Sequence, residues 1–164
     1  MAALEPGSKA PDFSLTATDG STYRLSDLVK NGPVVLFFYK RECPVCQMAA
    51  PFMQKFEDAY GGSGFSILGI AQNEKEETIA FAREHGITFP VLLDSNGYKV
   101  SKAYGLTAVP TTFLVDSSGT IRHTVVSWSR PELNAVSEAV AQLTQKPVVP
   151  ISVEGDGAPD FRPG

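Results

Sequence analysis

Cys43 and Cys46 are the only two cysteines in 164 residues, and they stand three positions apart in YKRECPVCQMAAPF, residues 39–52. Three kinds of chemistry use such a pair: metal ligation, a structural bridge, or electron exchange with another sulfur. Structural zinc takes four ligands, and this pair supplies two. The others would have to be His85 and His123, which lie far apart in the chain rather than in a metal-binding spacing. A bridge over so short a loop removes little entropy from the unfolded chain. Redox exchange is left, with no metal and no cofactor required. In that chemistry the thiolate attacks, so one sulfur must sit where its anion is favoured.

The flanking sequence supplies such a place. PVVLFFY (33–39) is a continuous apolar run, the pattern of a strand buried on both faces. After the cysteines, Met48, Phe52, Phe56 and Tyr60 recur every fourth residue, joined by Met53, which predicts a helix with one apolar face. Gly61-Gly62 ends it and Pro51 interrupts it. The cysteines therefore fall at a strand-to-helix junction, where unpaired N–H groups and the helix dipole favour an anion. Cys43, at the opening, is expected to be the exposed nucleophile. Cys46, one turn in, is expected to be the buried resolving thiol. Pro44 has no N–H and suits a first helical turn.

The remaining elements predict an α/β fold with a mixed central sheet. DFSLTA and STYRL flank Asp19-Gly20, a two-residue hairpin signal, and Ser26 to Val29 reads as a short helical turn. FSILGIA (65–71) is a second buried strand, and Asn73 to Glu76 reads as a capping box for a helix ending near His85-Gly86. A short extended FPVLLD precedes a helix over GYKVSKAYG. TTFLVD and TIRHTVVSW enclose a turn, and Ser129 caps a last helix from Arg130 to Leu143. Residues 1–144 form one domain. Residues 145–164, with four prolines and three glycines, form an extended or disordered tail.

Composition excludes several functions. With 43% apolar and 20% charged residues, the chain reads as a soluble globular protein. Its net charge of −4 and lack of a basic stripe argue against nucleic acid as a partner. No apolar run is long enough for a signal peptide or membrane helix, so the expected location is cytoplasmic. A processed, periplasmic form would read the same way. Oligomeric state is not set by the sequence.

These motifs together resemble the thioredoxin superfamily. CPVCQMAAP, with Pro51 five residues after Cys46, and YGLTAVPTTFLVDSSGTI (104–121) are similar to the TlpA- and ResA-like thiol–disulfide oxidoreductases of the redoxin, or AhpC/TSA, grouping. The resemblance covers roughly residues 7–144. It implies a thioredoxin-like fold and an enzyme that exchanges electrons with protein disulfides or dithiols and with a thiol donor. It makes Cys43, Cys46 and Pro110 the catalytic set, with Pro110 as a cis-proline facing the cysteines. Val109, Pro44 and Val45 become the substrate-facing residues, with the Val109 backbone pairing to an extended peptide.

Three departures stand beside the likeness. Glu42 replaces the tryptophan usual before the first cysteine. Phe37 stands where thioredoxins keep a buried aspartate, and Ala49 where TlpA-like proteins often place a glutamate. Both familiar proton acceptors for Cys46 are missing, which leaves water or Glu42 for that task. Arg41 could favour the Cys43 anion. The alternative function is a peroxiredoxin-like peroxidase, since KAPDFSLTATDGSTYRLSDL opens as those enzymes do. In that frame Cys46 would be peroxidatic, and its proline, threonine and arginine partners would fall on Tyr39, Cys43 and Pro110. None of the three matches. A non-enzymatic redox sensor is the remaining alternative.

Overall fold

The computed structural model describes residues 2–62 and 64–164. The chain opens with a hairpin of β1 (Ser14–Thr16) and β2 (Thr22–Arg24), then α1 (Leu25–Leu28) and a 3-10 turn over Val29–Asn31. The core alternation follows: β3 (Val34–Tyr39), α2 (Pro44–Tyr60), β4 (Ser66–Ala71), α3 (Lys75–His85), β5 (Val91–Leu93) and α4 (Lys99–Ala103). It closes with β6 (Thr111–Val115), β7 (Ile121–Val126), β8 (Trp128–Ser129), α5 (Arg130–Thr144) and β9 (Phe161–Arg162).

Five strands make the central sheet in the order β5-β4-β3-β6-β7. β3, β4 and β5 run parallel, while β6 lies antiparallel to β3 and to β7. The sheet is therefore mixed, and β3 is its middle strand. All six residues of β3 are fully buried because each face of the sheet is covered. Val35, Phe37 and Tyr39 point into one layer with α2, α3 and α5, whereas Val34, Leu36 and Phe38 point into a second layer with Leu25, Val100, Tyr104 and Phe113. A strand packed this way has no freedom to slide, since a shift of one residue would exchange the two layers. It delivers its carboxyl end, and the loop that follows, at a fixed place.

Two local expectations change. The first hairpin is not closed by two residues: Ala17 N–H donates to Ser21 O at 2.7 Å, leaving Thr18, Asp19 and Gly20 in the turn. Gly20 has φ 89°, the left-handed position that a three-residue hairpin loop places last. The capping box at α3 does not form. Its N-cap is Glu74, with no side-chain cap bond, because the Asn73 side chain is spent elsewhere. At α5 the expected cap is present, with Glu132 N–H donating to Ser129 Oγ at 3.3 Å.

Residues 145–164 contain no helix and fold back on the body of the protein. Ile151 and Ser152 are fully buried, and β9 pairs antiparallel with β8. Among the described residues, no helix is long and apolar enough to cross a membrane.

Candidate active site

The loop after β3 ends on Cys43, which is the N-cap of α2, with extended backbone at φ −84° and ψ 114°. Its side chain does what a capping serine would do: Cys46 N–H donates to Cys43 Sγ at 3.1 Å. Pro44 occupies the first helical turn, where its missing N–H costs nothing. The sulfur is thus met by a free N–H at the positive end of a 17-residue helix. From the other side comes the loop before β6. The Val109–Pro110 peptide bond is cis, and Cys43 Sγ–H donates to Val109 O at 3.4 Å. Helix start and proline loop, 66 residues apart in sequence, face each other across one sulfur.

Both cysteines are unbridged. Cys43, expected at the surface, is only 6% exposed, with the proline loop and Gly164 lining the space over it. Cys46 is wholly buried among Val45, Ala49, Ala50 and Met53 of its own helix and the layer around them. That burial, first, and the neighbouring Cys43 sulfur, second, push the Cys46 thiol far above its ordinary range. Cys46 is therefore held neutral until something changes around it. Val45 is buried in the same layer, while Pro44 is exposed at the surface.

A cavity of about 520 Å³ opens over Cys43. Pro44, Glu42 and Lys40 line it from the β3–α2 side, Val109 and its preceding loop from the other, and Gly164 closes one end. Pro110 is buried and is not part of the lining. The structure thus brings Cys43, Cys46, Pro44, Val109 and Pro110 together and turns the Val45 side chain into the core.

The charged residues beside the cysteines are tied up. Asn73 Nδ2 donates to Glu42 Oε1 at 2.9 Å and Oε2 at 3.2 Å, while Asn73 Oδ1 accepts from Arg41 N–H at 2.7 Å. The Asn73 amide, above all, holds the Glu42 carboxyl below its usual range. An exposed carboxylate stabilised as an anion is a poor acceptor for the Cys46 proton. Arg41 is turned to Glu77, Nη1 to Oε2 at 3.1 Å, and not to Cys43. Phe37 and Ala49 are buried and apolar, so neither can take a proton. The layer also holds the hydroxyl of Tyr39. That hydroxyl is buried with no hydrogen-bond partner among the described residues, and burial above all raises its pKa.

The sequence does not mark Asn73, Tyr39 or Gly164 as neighbours of the two cysteines within one site. Asn73 carried the signal of a helix cap, Tyr39 of a strand aromatic and Gly164 of a loose tail. Each acquires its place through contacts that chain order does not display.

The model of the AhpC/TSA family matches residues 6–124. The chain belongs to the AhpC/TSA family. Within it, the thiol–disulfide oxidoreductase ResA of Geobacillus thermodenitrificans is 36% identical over 121 residues, 73% of this chain and 68% of that protein. A candidate protein disulfide isomerase from Bacteroides thetaiotaomicron superposes with a TM-score of 0.81 at 28% identity, covering 89% of this chain and 96% of its own. The peroxidoxin BcpB of Mycobacterium tuberculosis superposes at 0.69 and 27% identity, over 85% and 96%. This AhpC/TSA chain has a thioredoxin-like fold and is a ResA-like thiol–disulfide oxidoreductase. Membership of that family implies protein disulfides or dithiols as substrates.

Proposed function

We propose that Cys43 and Cys46 form the exchanging couple, and that an extended peptide segment carrying a disulfide docks against Val109. The Cys43 thiolate attacks one sulfur of that disulfide. A Cys43–substrate disulfide forms and the second substrate sulfur leaves as a thiolate. Cys46 then loses its proton to the leaving thiolate or to water and attacks Cys43. The Cys43–Cys46 disulfide forms and the first substrate sulfur is released, two electrons having passed to the substrate. A thiol donor restores the pair by the same steps in reverse.

The observation that carries this reading is the position of the Cys43 sulfur, between the Cys46 N–H and the Val109 carbonyl. The first contact favours the anion, and the second sets the sulfur at the edge where a peptide would lie. Compartment decides the direction. In a cytoplasm kept reducing the couple runs as a reductase, whereas an oxidising compartment would hold it as the disulfide.

A peroxidase built on Cys46 is disfavoured because that sulfur is fully buried. Tyr39, Cys43 and Pro110 stand where such an enzyme needs proline, threonine and arginine.

The test is a pair of variants assayed with a peptide disulfide and with peroxide. Cys43→Ser is expected to lower disulfide exchange by about a thousandfold or more. Cys46→Ser is expected to accumulate the Cys43–substrate disulfide. Retention of wild-type exchange by Cys43→Ser, or peroxide consumption that exceeds disulfide reduction, would refute the reading.

A further inference from the structure

The last twenty residues are built in two parts that differ in how firmly they are held. The first part, through Asp160, is locked to α5. Asn134 Oδ1 accepts from Ile151 N–H at 2.8 Å and Ser152 N–H at 3.2 Å, while its Nδ2 donates to Ser152 O at 2.8 Å. Among the described residues Arg130, only 9% exposed, gives its guanidinium to this segment: Nε donates to Ser152 Oγ at 3.0 Å, Nη2 reaches Asp156 at 3.3 Å, and further bonds go to Ala158 O and Asp160. Trp128 Nε1 adds a bond to Pro159 O at 2.7 Å.

The second part, residues 161–164, is exposed throughout, Phe161 at 58%. It is held by the two-residue pairing of β9 with β8 and by Gly164 N–H donating to Ser127 Oγ at 3.0 Å. Yet this weakly held part reaches furthest into the site. Gly164 lies so close to the proline loop that a β-carbon on it would stand 2.0 Å from Val109 O and 3.3 Å from Pro110 Cδ. It forms one end of the cavity over Cys43.

We propose that residues 161–164 are a strap across the peptide-docking edge, and that they make Cys43 selective for the size of its partner. With the strap down, a small disulfide can enter the cavity, but a segment held within a folded protein cannot lie along Val109. A two-stranded pairing this short is marginal on its own, so the strap can lift while the Arg130 lock stays closed. Docking of a protein disulfide then carries the cost of lifting, which lowers its apparent rate by the fraction of molecules open. The proposal rests on the docking of substrate at Val109. Its test must therefore read access to Cys43 apart from exchange.

The experiment uses the full chain, a chain ending after Asp160, and Gly164→Val in the full chain, each checked for unchanged melting. Access is read as the ratio of Cys43 labelling by a polymer-bearing maleimide to labelling by N-ethylmaleimide, and exchange as insulin reduction against reduction of a small aromatic disulfide. Removing 161–164 is expected to raise both ratios by about tenfold. Gly164→Val is expected to move them in the same direction, because its side chain cannot share the space with the Val109 carbonyl. A labelling ratio that is unchanged or falls overturns the strap, whatever exchange does. Failure of the full chain to reduce even the small disulfide overturns the exchange reading and leaves labelling to decide the strap.

Discussion

At the scale of single residues, the two sulfurs are made different by their surroundings. Cys43 is met by an N–H and a carbonyl at the rim, and Cys46 is enclosed by hydrocarbon. The raised pKa of Cys46 has a sign that can be measured. An unfolded cysteine releases its proton near pH 8.5, while the folded one keeps it. The reduced protein thus has its full stability below about pH 8.5 and loses up to about 1.4 kcal/mol per pH unit above it. Denaturant midpoints between about pH 8 and 10 should fall for the reduced form, and Cys46→Ala should remove most of that slope. A flat profile for the reduced wild type would mean that the burial of Cys46 does not hold its proton. Much of this was legible in the sequence, because two cysteines one helical turn apart after a buried strand have distinct depths. The tight cover over Cys43 was not, since it comes from residues 106–109 and 164, remote in the chain.

At the scale of elements, the site is where three independent pieces end: β3, the loop into β6, and the tail. Hydrophobic period located the first two, since VVLFFY and TTFLV announce buried strands. The tail gave no such signal. Proline and glycine count toward an unpacked segment, and its anchors are single side chains such as Asn134 and Arg130 on a helix that reads as self-sufficient. Asn73 shows the same limit, for its partners Arg41 and Glu42 lie over 30 positions away. The tail lock should respond to acid. Ser152 hydroxyl donation, first, with the Ala158 and Val153 N–H groups, holds the Asp156 carboxyl well below the usual carboxylate range. A depressed pKa means that the stabilisation is present above about pH 4 and is lost as pH falls below it. Amide exchange at Ile151 to Val153 should therefore accelerate relative to the sheet core on acidification. Asp156→Asn should make that relative rate independent of pH in the same range.

For the molecule as a whole, the central sheet separates two apolar layers that answer to different demands. One holds the cysteines with α2 and α5, and the other holds Phe38, Tyr104 and Phe113 under the N-terminal hairpin and α4. Phe113→Ala should cost about 3–5 kcal/mol of stability through the cavity it leaves. Cys43 labelling of the folded variant should stay within about twofold of wild type, because the lesion lies across the sheet. A large change in labelling at unchanged fold would show that the layers communicate. The same architecture sets where the chain may be extended. With Gly164 seated at the mouth of the cavity, whatever follows it emerges beside the Cys43 sulfur. A purification handle placed there would crowd the opening above Cys43.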